Sequence, residues 1–428
     1  MTLFLVLFWM VLPVAGYDFS MKKDLTGSRR VVVIGVEFPD QKASTPIHEI
    51  EERVFSAMDA YYQNVSYGKM SITGKISETW HLLPHNMSYY GSYSGGNSSD
   101  EIHSKGATEL IRDAIQVTDG LIDFSGFDYV LVVHAGEDEA SSQNLTDLWS
   151  WGFWEGLSVS TEDGVTFNQG AIISESDSLG VFCHEFGHVL GLPDLYNEDY
   201  NSPISFVGDW GLMGHGCHNG DPKGSTPSHM LSWGKTFLNW INRSQIMEIG
   251  THGHGITVFS PDGRHFKIMD NGVNVTVDPL EKPLTRRSFT ATPAPDESHY
   301  RIEMYKGVKV IKIPVTSKSY YLIEVRIDKN LPEQGVLVTF VNETRGSGEG
   351  IIQVIDANSS TKTLDDALYH VGEVFEERQQ HFTVKVIQKL ENSSFVVYIS
   401  NKLVPLRRSN SAQEDYTPPR SPNKSPHN

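Results

Sequence analysis

The chain has 428 residues, with 35 Lys or Arg against 53 Asp or Glu and a formal net charge of −18. An apolar content of 39% with 21% charged residues fits a folded chain of two or three domains and excludes a disordered one. The acidic balance argues against nucleic acid, whose phosphates want a basic face. No apolar run reaches the ~20 residues of a transmembrane segment, and two cysteines are too few for a disulfide-stapled small fold.

Residues 3–12 are almost purely apolar and lead into Pro13 and the small residues Val14-Ala15-Gly16. This predicts a signal peptide over residues 1–16. Asn-x-Ser/Thr sequons begin at Asn64, Asn86, Asn97, Asn144, Asn242, Asn274, Asn342, Asn358 and Asn392. Spread along the chain behind a signal peptide, they predict a secreted, extracellular glycoprotein.

Val31 to Phe38, closed by Pro39-Asp40, reads as a buried strand. Ile47, Ile50, Val54, Met58 and Tyr61 recur at helical spacing and predict a helix over 46–63. A strand follows over 71–80, then a Tyr-, Ser-, Gly- and Asn-rich loop over 88–100, then a helix over 101–117. Tyr129 to His134 is a second buried strand, a Trp-rich stretch holds Trp149, Trp151 and Trp154, and Ala171-Ile172-Ile173 is a short strand leading into a helix from Ser178. Alternating strands and helices predict a mixed α/β (α+β) unit over 17–245. Beyond it, short β-branched runs such as 307–314, 320–327, 335–341 and 382–387 predict a β-rich, sandwich-like domain over 246–402. Residues 403–428 are polar and rich in Pro and Ser, the composition of a disordered tail.

The chemistry concentrates in His184-Glu185-Phe186-Gly187-His188-Val189-Leu190-Gly191-Leu192-Pro193-Asp194. Two histidines four apart on a helix project from one face and can hold one Zn²⁺. Glu185 lies one residue off that face, placed to act as a general base. Gly191 can let the chain leave the helix in a tight turn, which would bring Asp194 back as a third ligand. His215, His218 and His229 are alternative third ligands.

Further along, Asp209-Trp210-Gly211-Leu212-Met213-Gly214-His215-Gly216 resembles the Met-turn of the metzincin clan of zinc peptidases. That resemblance implies a methionine under the metal, here Met213. With such a turn below the zinc helix, Cys183 and Cys217 come near each other, and a disulfide between them is expected.

Several segments together resemble the immune inhibitor A family of secreted metallopeptidases. They are Val36 to Asp40, Ser66 to Met70, Tyr89-Tyr90-Gly91, His134-Ala135-Gly136, the histidine segment through Tyr196, Trp210 to Met213, and Pro227 to Lys235 with Trp240. A weaker echo falls at Tyr321 to Arg326 and Leu331 to Val338. The resemblance implies a metzincin-like catalytic domain with one catalytic Zn²⁺, an endopeptidase acting on proteins or peptides, and structural Ca²⁺. The acidic loops, Glu137-Asp138-Glu139 or Asp194 to Asp199, are too generic to assign calcium.

Two other readings stay open on sequence: a peptidase-fold protein that binds without cleaving, and a zinc hydrolase acting on a non-peptide amide. Specificity is expected from the Trp149 to Trp154 region and the residues after Met213, with an extended peptide laid along an exposed strand edge near Ala171-Ile172-Ile173.

Overall fold

The computed structural model describes residues 23–91, 100–199, 202, 204–249, 309–326, 334–361, 363–389 and 395–400, together with the strand backbones 256–258, 267–270, 273–276, 289–291 and 299–304. The expected signal peptide, the tail, and the sequons at Asn97 and Asn392 lie outside these residues, as does the side chain of Asn274.

The N-terminal unit is built on β1 (Gly27–Glu37), β2 (Met70–Ile76), β3 (Tyr129–His134), β4 (Trp151–Phe153) and β5 (Gly170–Ser174). Their order is β2-β1-β3-β5-β4. The first four in this row run parallel, and β4 closes the sheet antiparallel to β5. The unbroken apolar run of β1 is explained by burial on both faces. Val31 and Val33 enter one core, while Val32, Ile34 and Val36 enter another. Leu131 and Val133 divide from Val130 and Val132 in β3 in the same way.

On the first face lie α1 (Ile47–Glu52) and α2 (Asp59–Val65), joined by a π-helical turn over Arg53–Met58. The helix expected over 46–63 is therefore continuous but locally widened. The second face is covered by α3 (Asp100–Thr118), through Leu110, Ile111, Ala114 and Ile115. Part of the expected 88–100 loop is a short helix, Met87–Gly91. The helix of interest, α4 (Leu179–Val189), follows β5 and packs Phe182, Phe186 and Val189 into the first core. A later helix, α5 (Ser232–Phe237), joins the same core through Trp233 and Phe237.

The β-rich part begins with β6 (Ile246–Glu248), β7 (Val310–Pro314), β8 (Ser319–Arg326), β9 (Gly335–Asn342) and β10 (Ile352–Val354). They form a sheet in the order β10-β9-β8-β7-β6. A further sheet contains β11 (Val374–Glu377), β12 (Phe382–Lys389) and β13 (Phe395–Ser400), with β13 paired to the strand His299–Met304. Alternate residues of the first of these sheets serve two different cores. Val310, Tyr320, Leu322 and Leu337 belong to the core that holds α4. Ile311, Tyr321, Ile323, Val336 and Val338 share a core with Phe375, Phe382, Val384, Val397 and Ile399 of the second sheet.

Polar contacts reinforce the first of these junctions. Ser232 N, at the start of α5, donates to Glu324 Oε2 at 2.9 Å, as a carboxylate at a helix N-terminus should attract. Arg326 Nη2 donates to the carbonyls of Trp210 and His229 at 2.8 and 3.0 Å. Among the described residues no helix is long and apolar enough to cross a membrane.

The sequons on described side chains lie mostly in water: Asn64, Asn86, Asn144, Asn242 and Asn358 are exposed, and Asn342 is half-buried.

Candidate metal centre

The spacing of His184 and His188 places both rings on one face of α4. Their Nε2 atoms lie 3.2 Å apart. The helix ends just beyond His188, and Gly191 takes φ +101°, a conformation that disfavours a side chain. The turn it permits returns Asp194 to the histidines, with Oδ1 at 3.1 Å from His184 Nε2 and 3.3 Å from His188 Nε2. These three residues are the metal-capable cluster found among the described residues. His215 and His218 are exposed on a 3₁₀ turn. His229 lies by Tyr67, with its pKa held well below the usual range by burial and by the nearby cations Lys235 and Arg326. None of these three joins the cluster, so the structure favours Asp194 over all of them as the third member.

The donor chemistry fits a cation. His184 Nδ1 lies 3.0 Å from the Leu212 carbonyl, and His188 Nδ1 lies 2.8 Å from the Leu192 carbonyl. A carbonyl only accepts, so each Nδ1 carries a proton and each neutral ring turns a lone pair on Nε2 toward the other. Two lone pairs and a carboxylate oxygen at contact distance repel unless something positive lies among them. Ligands about 2.0–2.1 Å from a tetrahedral zinc lie roughly 3.3 Å from one another, which matches the separations seen. In the metal-free protein, protons take that role. Burial opposes charge on both rings, yet Asp194, joined at His184 by the Cys217 thiol, outweighs it and both pKa values are raised. Burial likewise opposes charge on Asp194, and the two histidines outweigh it and hold its pKa down.

Glu185 is buried beside the cluster. Burial lifts its pKa to about 7, against the downward pull of His184 and His188.

Met213 is buried with its sulfur against Gly187, where a Cβ would come within 2.5 Å of Sδ. The same turn supports the cluster twice. Its Leu212 carbonyl fixes the His184 ring, and its Met213 carbonyl accepts from Leu195 N at 2.8 Å.

Two expectations are corrected. Cys183 and Cys217 are free, buried thiols. Cys183 is enclosed in the core of α4. The Cys217 thiol is turned to the Gly214 carbonyl, at 3.4 Å, and to the His184 and His218 rings. The free strand edge is also not at Ala171-Ile172-Ile173. That strand, β5, is paired along its length with β3 and at Gly170 to Ile172 with β4, so the edge strand of the sheet is β4. Gly152 of β4 lies directly on α4, with space for no Cβ before the Glu185 carbonyl and the His188 Cβ. Trp154, just past this strand, has its ring 6.2 Å from that of His188. The tryptophan stretch therefore flanks the cluster. Among the described residues neither acidic loop gathers a second metal-capable group.

Comparison with known proteins gives a consistent picture. Residues 40–131 and 119–243 match the family model described as the immune inhibitor A peptidase M6 catalytic domain. Pre-pro-metalloprotease PrtV of Vibrio cholerae is 28% identical over 246 residues, covering 48% of this chain and 27% of that protein. Immune inhibitor A of Bacillus thuringiensis is 27% identical over 224 residues, covering 42% of this chain and 32% of that protein. The alignments thus span less than a third of the length of these relatives. Over residues 40–243 the chain is thus similar to the immune inhibitor A peptidase catalytic domain, and the His184–His188–Asp194 cluster lies inside that stretch.

Proposed function

We propose that this chain is a secreted zinc endopeptidase of metzincin type, with His184, His188 and Asp194 as the metal ligands, Glu185 as general base and Met213 as the residue beneath the metal. The observation that carries this is the convergence of three ligand-type atoms at 3.1–3.3 Å, with the buried Glu185 next to His184 on the same helix. Zinc bound there would supply Lewis-acid polarisation of a water and of the scissile carbonyl. Leu212 and Leu192 hold the two imidazoles in the tautomer that offers Nε2. Glu185 accepts the proton of the attacking water and returns it to the leaving amine nitrogen. Burial of Glu185 favours its protonated form and so helps it hold that proton between the two transfers.

The substrate would lie extended along the outer side of β4, the last strand of the sheet, adding a strand and passing Trp154 next to His188. An intact set of four functional residues disfavours a purely binding role. The β-rich part is proposed to be a two-layer sandwich, since one apolar core is shared by two of its sheets. The exposed sequons, together with the apolar N-terminal stretch, support secretion and N-glycosylation.

Replacing Glu185 should separate metal binding from cleavage. Glu185→Ala is expected to keep about one zinc per chain and to lose roughly 10²–10⁴-fold in peptide cleavage. Zinc content and cleavage of a denatured protein, measured on one preparation with a chelator control, test it. A zinc-replete Glu185→Ala protein that cleaves at the wild-type rate would sink the mechanism.

A further inference from the structure

Asp194 is held from outside the peptidase domain. Its neighbours along the chain are tied to the N-terminal unit, Leu192 by His188 Nδ1 and Leu195 by the Met213 carbonyl. Both main-chain polar groups of Asp194 itself are taken by the turn between β9 and β10. Asp194 N donates to Ser347 Oγ at 3.0 Å, and Gly348 N donates to the Asp194 carbonyl at 3.1 Å. The Gly348 carbonyl then accepts from Glu198 N at 3.4 Å. The turn favours glycine through its backbone: Gly348 has φ +64°, a left-handed conformation that side chains rarely adopt. Ser347 lies 153 residues from Asp194 in sequence and beyond the stretch that matches the family model.

We propose that Ser347 and Gly348 form a positioning clamp that sets the direction of the Asp194 carboxylate and so completes the metal site from the β-rich part. A carboxylate on a turn is only as well aimed as its backbone, because its one short side chain follows φ and ψ. His184 and His188 are fixed by a helix, whereas Asp194 has left it. Gripping both its N–H and its C=O fixes the two peptide planes that flank its Cα. Ser347 touches no reacting atom; it is a positioning residue acting through Asp194, in the manner of the outer-shell partners of other metal ligands.

The inference rests on the zinc reading above, and the experiment keeps the two apart. Zinc affinity is measured by competition with a chromophoric chelator for the full-length wild type, Ser347→Ala, Ser347→Thr and Gly348→Ala, with the melting temperature of each zinc-free protein alongside. Ser347→Ala is expected to weaken zinc about 10-fold, the lower end of the range for outer-shell partners, with little change in zinc-free melting. Ser347→Thr, which keeps the hydroxyl, should bind close to wild type. Gly348→Ala should weaken zinc at least as much as Ser347→Ala, since a side chain strains the left-handed backbone from which Gly348 N reaches the Asp194 carbonyl. Equal zinc affinity in all four proteins overturns the clamp. So does equal weakening by Ala and Thr at position 347. A wild-type protein that takes up no zinc would overturn the metal reading and the clamp with it.

Discussion

At the scale of single residues, the cluster makes a specific claim about pH. His184 and His188 have raised pKa values in the metal-free protein, and Asp194 a lowered one. A raised histidine pKa stabilises the fold fully below the unfolded value and loses that contribution as pH rises through the folded value. A lowered carboxylate pKa stabilises above the unfolded value and is lost as pH falls through the folded value. The zinc-free cluster is therefore most stabilising in mild acid and declines toward alkaline pH, as the lone pairs face each other unprotonated. Zinc needs the unprotonated ligands, so its contribution runs the other way. The increase in melting temperature on adding zinc should grow as pH rises from mild acid through neutrality, and His188→Ala should abolish that growth. A zinc-induced shift independent of pH in the wild type would contradict the ligand set.

The single elements show which features can be read from periodicity and which cannot. The helical spacing of His184 and His188 and the turn-forming Gly191 sufficed to anticipate that Asp194 returns to them, because each step is local. Strand order is not local. The run Ala171-Ile172-Ile173 looks like any short strand, and only pairing with β3 and β4 makes it interior. The π turn in the first helix and the free state of Cys217 have the same cause, since both depend on packing partners far away in sequence. Glycine at 187 is a further case. Inside a helix it costs roughly 1 kcal/mol relative to alanine, and the sequence offers no reason for it. The structure supplies one, in the Met213 sulfur lying where a Cβ would be. Gly187→Ala should therefore destabilise by about 1–3 kcal/mol despite its better helix propensity. Thermal denaturation checks this, and a stabilised variant would mean that Met213 is not confined there.

For the whole molecule, the two parts are joined through the interior. Arg326 and Glu324 lie buried on β8, with Nη1 and Oε1 3.6 Å apart, and each also bonds backbone of the N-terminal unit. Removing the guanidinium leaves a buried carboxylate unpaired and two carbonyls without a donor. Arg326→Ala is expected to cost about 3–5 kcal/mol, seen as a fall in the midpoint of urea denaturation. A change within the range of ordinary surface substitutions would show that the junction does not depend on it. The β-rich texture of this region was legible in its alternating runs. That one of its sheets covers the α4 core was not, because an apolar strand does not announce which partner lies on each face.

This double-sided sheet bears on how separable the two parts are. A boundary near residue 245 suggests a module that could be exchanged among relatives, like beads on a string. The strand β8 instead offers Tyr320 and Leu322 to one side and Tyr321 and Ile323 to the other, with no face left for water. Each substitution along it must suit two sets of neighbours at once, so the halves are expected to drift in concert rather than independently. A chimera that joins this N-terminal stretch to the β-rich part of a distant relative should then be insoluble, whereas one that also carries over β7 to β10 of this chain should recover solubility. A soluble, zinc-binding chimera without those strands would show the parts to be interchangeable.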